Sequence, residues 1–335
     1  MWWIGAVGLS LGISVFGQTG DTAGRQYALL KPVAGERPVV EASAERVFSL
    51  APTSRPGLLT LRADVREVQL FFTASDSQSQ FVSGLRPDDI TILDDGIPAT
   101  ITGFQQESNL PIEVGLLMDL SRSLERQRSV ERTAAAAFLQ SLLSGPDDRA
   151  FVIGFSTKVR TLQLATGNHA LLAASIERSL DAVPPSGLTS LFDAICISAQ
   201  QGFPAHDSSR PRRRALIILS DGDDTDSIHS LSDAIAAVQS SGIAVYGIAI
   251  QNPHDGENGI VALRQLAQAT GGRVFTVSKK LPATQAFAVI QNELRMQYGV
   301  TFRPSRTSPG FHTLQVIPTE DRELSFRFRT AYEVR

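Results

Sequence analysis

Four uninterrupted apolar runs constrain this chain more than anything else in it: Val114-Gly115-Leu116-Leu117-Met118, Phe151-Val152-Ile153-Gly154-Phe155, Ala215-Leu216-Ile217-Ile218-Leu219 and residues 243–250. A strand that is apolar on both faces must be covered on both faces, and a parallel sheet layered between helices is the architecture that does this. The segments between the runs carry helical spacing. Val130, Ala134, Ala137, Phe138 and Ser141 fall at i, i+4, i+7, i+8 and i+11, and comparable stretches occupy about 171–180, 191–201, 231–240, 260–270 and 282–297. The expected fold class is therefore α/β, a doubly wound and mostly parallel sheet over about 111–297.

Both flanks read differently. Val68, Leu70 and Phe72, then Ile90, Ile92 and Ile101, mark short strands after an earlier piece at Leu61, Ala63 and Val65. They are punctuated by Asp94-Asp95-Gly96, a hairpin signal because Gly tolerates positive φ and Asp bonds its own backbone. Beyond Tyr298, strand-like alternation returns at Val300 and Phe302, at Leu314, Val316 and Ile317, and at Leu324, Phe326 and Phe328. Three short strands are too few to stand alone. Residues 298–335 are thus expected to pair with 59–110, leaving the α/β domain inserted between two halves of one small β unit.

Residues 18–58 hold Pro32, Pro38, Pro52 and Pro56 without a sustained period, as an extended linker does. Ahead of them, no residue from Trp2 to Gly17 is charged, and the apolar run of about 15 residues is shorter than the ~20 that span a bilayer. Residues 1–17 read as a secretory signal, with an uncleaved anchor or a buried strand as alternatives. An exported protein, periplasmic or extracellular and without a membrane span after signal removal, is the expectation.

Composition removes several functions. With 31 basic and 34 acidic residues among 335, the formal charge of -3 leaves no basic field for nucleic acid. Apolar residues at 42% and charged residues at 19% argue against wholesale disorder. Cys196 is the sole cysteine, so neither an internal disulfide nor a multi-cysteine zinc site can form, and its apolar helical context makes it a core residue. The basic run Arg210, Arg212, Arg213 and Arg214 reads as a solvated loop. No Gly-Lys dipeptide occurs for a Walker loop, Gly154-Phe155-Ser156-Thr157-Lys158 lacks the second glycine of a hydrolase elbow, and His169, His206, His229, His254 and His312 show no motif spacing. No catalytic residue is expected.

Ligands of open α/β sheets bind beyond the carboxyl ends of the strands, where strand order reverses. Two apolar runs end there in an aspartate: Met118-Asp119-Leu120-Ser121-Arg122-Ser123 and Ser220-Asp221-Gly222-Asp223. Between them, Pro184-Pro185-Ser186-Gly187-Leu188-Thr189-Ser190 delivers a threonine to the start of a helix. Asp119, Ser121 and Ser123, at alternate positions of a tight turn, can aim three oxygens inward together, a donor type suited to a hard cation such as Mg2+. A helix starting near Ser123 would add a partial positive charge for an incoming anion. The aspartates Asp223, Asp224 and Asp226 do not make a calcium loop, because an EF-hand needs Gly at its sixth position, where Asp226 stands, and they read as solvated.

This constellation resembles the von Willebrand factor type A domain and its metal-ion-dependent adhesion site, in which Asp-x-Ser-x-Ser follows the first strand, a Thr lies in the second loop and an Asp follows the fourth strand. Asp119, Ser121, Ser123, Thr189 and Asp221 match that pattern. A wider likeness, to the related proteins of Acidobacteria, rests on Leu85, Asp88, Asp89, Asp95 and Gly96 in the preceding β segment. The resemblance implies Mg2+, or Mn2+, at those five residues and a partner protein that offers an exposed Asp or Glu. Arg122, Gly187 and Asp223 would form the rim, and Arg122 stands where many relatives carry Gly. A scaffold without metal-dependent binding, or a metal-assisted hydrolase, are the competing readings.

Overall fold

The computed structural model describes residues 67–106, 110–124, 128–182, 187–203, 211–250, 258–278, 280–319 and 323–334. The signal, the linker, the strand piece at 61–65 and Pro184-Pro185-Ser186 lie outside the described residues.

Strands β1 (Val68–Ser75), β2 (Ile90–Asp94), β3 (Ile97–Pro98) and β4 (Thr100–Gln106) precede the α/β domain. That domain runs through β5 (Ile112–Asp119), α1 (Arg128–Leu142), β6 (Arg149–Phe155), β7 (Val159–Thr166), α2 (His169–Glu177), α3 (Ser179–Ala182) and α4 (Leu191–Ile197). It continues with β8 (Arg213–Ser220), α5 (Leu231–Ser240), β9 (Ile243–Ala249), α6 (Asn258–Thr270), β10 (Val274–Thr276) and α7 (Ala283–Arg295). The chain closes with β11 (Tyr298–Arg303), β12 (Gly310–Pro318), β13 (Ser325–Phe328) and β14 (Ala331–Val334).

The six-stranded sheet has the order β10-β9-β8-β5-β6-β7. All its pairs are parallel except β6 with β7. Side chains alternate across it. Ile112, Val114, Leu116 and Met118 pack with Phe138 of α1, Leu172 of α2 and Phe287 of α7 on one face, while Leu117, Leu216 and Ile218 pack with Ile195 of α4, Val238 of α5 and Leu263 of α6 on the other. Cys196 belongs to this second core, and burial, followed by the charges of Asp193 and Asp233, pushes its thiol up to about 12. It is an inert core thiol.

The antiparallel strands make two four-stranded sheets, β13-β1-β11-β4 and β14-β12-β2-β3, which share a core of Leu70, Phe72, Ile92, Tyr298, Val300, Phe302, Leu314 and Tyr332. β1 and β4 flank β11, and β2 pairs with β12, so strands from before and after the α/β domain interleave in both sheets. The Asp94-Asp95-Gly96 turn closes β2 onto β3 with Asp95 at φ 50 and Gly96 at φ 77, the two left-handed residues that a tight hairpin demands.

Several local details depart from the sequence reading. The stretch at 171–180 divides into α2 and α3, and that at 191–201 becomes α4 followed by a π-helical turn at Ser198–Gly202. Strand β7 was not foreseen, since an antiparallel edge strand carrying Arg160, Thr161 and Gln163 has no two-faced apolar signature. The basic run is not a solvated loop. β8 begins at Arg213, which is 1% exposed, donates to the Gln297 carbonyl at 3.2 Å and lies over the Phe71 ring; Arg212 and Arg214 pair with buried Glu113, and Arg210 is outside the described residues.

Asp148 anchors the start of β5. Burial works to raise its carboxyl, yet the amides of Ile112 and Gly145 and the guanidinium of Arg295 outweigh that and hold it below its ordinary value. A depressed folded-state value contributes stability above the unfolded value near pH 4 and loses it as pH falls through the folded one. Asp148→Asn is expected to cost about 3 kcal/mol in denaturant unfolding at neutral pH, with the gap to wild type shrinking below about pH 4.

Candidate metal centre

Strand order places the site. From β5 the chain moves to β6 and β7 on one side, then crosses to β8, β9 and β10 on the other, so the loops after β5 and β8 diverge at the reversal. Met118 and Leu219 are register partners. Asp119 and Ser220 therefore emerge side by side, and Ser220 Oγ donates to Asp119 Oδ2 at 2.7 Å. The other carboxylate oxygen, Oδ1, accepts from the amide of Ser121 at 2.9 Å, which folds the β5 loop back over its own strand.

Asp119, Ser121, Thr189 and Asp221 are all buried. Burial is the largest influence on Asp119; together with the neighbouring charge of Asp221, and against the opposing hydrogen bonds of Ser220 and Ser121, it raises the carboxyl to about 6. A desolvated carboxyl beside a second carboxylate concentrates negative charge at the end of the sheet.

The loop bearing Thr189 is fastened to both neighbours. Ser190 N donates to the Ser156 carbonyl at 2.8 Å, beyond the end of β6. On the other side, the amides of Thr225 and Asp226 donate to the Thr189 carbonyl at 2.9 and 3.0 Å, and Thr225 Oγ1 accepts from Thr189 N at 2.9 Å. Asp224 is not merely solvated: its Oδ1 accepts from Phe192 N at 3.1 Å, serving the first turn of α4, where Ser190 makes no side-chain cap bond. Asp193 Oδ1 accepts from the backbone of Ile228 and His229 and from His229 Nδ1, completing the link. Gly222 has φ +90, and a Cβ there would stand 2.3 Å from the Gly259 carbonyl oxygen, so the loop after β8 passes against the start of α6 only with glycine.

Asp119, Ser121, Thr189 and Asp221 thus lie on three adjoining loops at one end of the sheet. Ser123 sits in a 3-10 turn, Arg122–Leu124, and its side chain is outside the described residues. The helix expected to begin near Ser123 is instead described from Arg128, beyond that turn. Among the rim residues, Arg122 and Gly187 are exposed, and Asp223 donates its amide to Asp221 Oδ1 at 3.2 Å. The Gly154–Lys158 segment is the β6–β7 hairpin turn, not a strand-to-helix elbow. Sequence reasoning missed Ser220, Thr225 and Asp224, whose roles come from their neighbours across loops; only the adjacency of Ser220 to Asp221 could have pointed to the first.

The von Willebrand factor type A domain family matches residues 113–287. This match takes in more than half of the chain, with β5 and the three loops inside it, and the protein belongs to that family. Domains of this family typically mediate protein–protein interaction and often bind a divalent metal. No curated protein matches the chain. Among solved structures, the conserved hypothetical protein BatB from Bacteroides thetaiotaomicron is similar at 16% identity and a TM-score of 0.44, over 55% of this chain and 97% of that one. An aerotolerance-related membrane protein from Bacteroides fragilis is similar at 19% identity and 0.43, over 55% and 98%. Proximal thread matrix protein 1 from the mussel byssus is similar at 16% identity and 0.45, over 56% and 49%.

Ser220 lowers the Asp119 carboxyl by donating to it. In metal-free protein, Ser220→Ala is expected to move the Asp119 titration midpoint above about 6, read by carboxyl-carbon NMR; a midpoint unchanged or lowered would contradict the arrangement described.

Proposed function

We propose that this chain is an exported, non-enzymatic protein-binding module in which Asp119, Ser121, Ser123, Thr189 and Asp221 hold Mg2+, or Mn2+, for contact with an acidic residue of a partner protein. One observation carries the reading: Asp119 is buried beside Asp221 with its carboxyl raised to about 6, so that two acidic groups meet among hard oxygen donors on adjoining loops. The donor set fits Mg2+, since two carboxylates and hydroxyls are its preferred chemistry and leave room for water or an outside oxygen. When bound, the ion supplies an open coordination position that a partner's carboxylate can take.

The chain's own residues do the rest. Ser220 and the Ser121 amide orient Asp119, and the Thr189–Thr225 backbone pair keeps the second and third loops together. Leu188 and Ile228 expose apolar surface on those two loops, at 45% and 70%, which a partner would cover. Arg122, Gly187 and Asp223 at the rim would set which acidic partner is accepted. Export is supported by the uncharged apolar start of the chain; among the described residues, no helix is long and apolar enough to cross a membrane.

Calorimetric titration of the full chain with Mg2+ tests the metal, and capture of extracellular proteins with Mg2+ or with chelator tests the partner. Asp119→Ala is expected to lose both signals, and amidation of the partner's acidic residue to lose the second. Equal capture with and without Mg2+ would favour the scaffold reading. Because Mg2+ competes with a proton on Asp119, whose midpoint is about 6, lowering the pH from about 7.5 to about 5.5 is expected to weaken apparent Mg2+ affinity about fourfold.

A further inference from the structure

Away from the loop site, the β2–β3 turn meets β12 at a cluster of two carboxylates and one imidazole. Asp94, Asp95 and His312 each bring one ligand-type atom, and these three atoms lie within 4.8 Å of one another. His312 is 3% exposed. Its Nε2 donates to the Ser308 carbonyl at 2.8 Å, and since a carbonyl can only accept, that nitrogen carries the ring proton. This leaves Nδ1 turned toward the carboxylates, 2.9 Å from Asp95 Oδ2 and 3.9 Å from Asp94 Oδ1. The buried Nδ1 is within ion-pair distance of Asp95, yet among the described residues no well-directed hydrogen bond closes that contact. Nδ1 and the two carboxylates thus turn their ligand-type atoms toward one another.

We propose that Asp94, Asp95 and His312 form a second cation site, separate from the loop site, which takes a divalent transition ion of the zinc type and clamps the β2–β3 turn to β12. Charge and donor type agree with this. Two carboxylates with one neutral imidazole sum to minus two and neutralise a divalent ion, and imidazole with carboxylate suits zinc or its first-row neighbours better than Mg2+ or Ca2+. Metal–ligand distances of about 2.0–2.2 Å put neighbouring ligand atoms about 3–4 Å apart, within a small contraction of this cluster.

The supporting shell has the form that orients metal ligands. Histidine ligands donate their other ring N–H to a carbonyl or carboxylate, as His312 does to Ser308. Asp94 Oδ2 accepts from both the amide and the hydroxyl of Ser305 at 2.7 Å, and Oδ1 accepts from Tyr332 Oη at 3.0 Å. Asp95 Oδ1 accepts from Thr313 N at 2.8 Å and from Thr313 Oγ1, which leaves Oδ2 toward the imidazole. The partly exposed side chain of Asp95, at 27%, gives the cluster an opening to solvent. A cation here would join segments 218 residues apart in the chain, a closure that stabilises the folded state by restricting a long loop.

Full-chain protein stripped by chelator and dialysed against micromolar Zn2+ in millimolar Mg2+ tests this directly. About one zinc per chain is expected to remain in wild type and in Asp119→Ala. Asp95→Asn keeps an acceptor for Thr313 and tolerates the left-handed turn, so it should fold as wild type does while losing about tenfold or more in zinc affinity. Zinc is expected to raise Tm in wild type and not in Asp95→Asn, and to shift the nitrogen-15 resonance of His312 Nδ1. The proposal is overturned if folded wild type retains no zinc, if Asp95→Asn retains as much, if Mg2+ alone stabilises Asp119→Ala as zinc does, or if the His312 Nδ1 resonance does not move with zinc.

Discussion

Strand β5 is buried along its whole length, with parallel neighbours on both edges and helices on both faces. Nothing in such a position can meet water except the strand's two ends, so its polar residues must be answered at those ends. At the entry, Asp148 accepts from the Ile112 amide and draws in Arg295 from α7. At the exit, Asp119 is answered by Ser220 and the Ser121 amide, hydrogen bonds that satisfy its oxygens without cancelling its charge. The two ends differ in backbone donors and in neighbouring charge. Asp148 has a guanidinium, whereas Asp119 has a second carboxylate for a neighbour.

Burial, chiefly, raises Asp119 to about 6, with the charge of Asp221 adding to it, whereas at Asp148 the amides of Ile112 and Gly145, and then Arg295, outweigh burial and hold the carboxyl below its ordinary value. The second and third loops of the site are tied to each other through Thr189, Thr225, Asp224 and Asp193.

The antiparallel sandwich is built on a different constraint. Its strands come from both sides of a long insertion, so its core forms only when distant segments meet. Tyr298 illustrates the joint: it begins β11 directly after the α/β domain, stacks on Phe72 at 5.2 Å, and its hydroxyl donates to the Val82 carbonyl while accepting from Leu85 N. The same geometry assembles the Asp94, Asp95 and His312 cluster from both halves. Through the Glu293 pair with Arg327, α7 is tied to β13, and the sandwich and the α/β domain share that contact.

Much of the α/β architecture was legible because it is local. Runs apolar on both faces announce a covered parallel sheet, helical spacing announces its layers, and an aspartate ending an apolar run marks the strand end where ligands of such sheets bind. The Asp95-Gly96 turn was legible for the same reason, since left-handed φ is a property of the residues themselves. What tertiary structure alone decided depends on neighbours that the chain order conceals: Ser220 beside Asp119 through strand register, Asp224 at the start of α4, Arg213 buried rather than solvated, and His312 facing aspartates 218 and 217 positions earlier in sequence. Periodicity reports how a segment meets its immediate surroundings, whereas the charge balance of a buried group is set by whatever the fold brings to it.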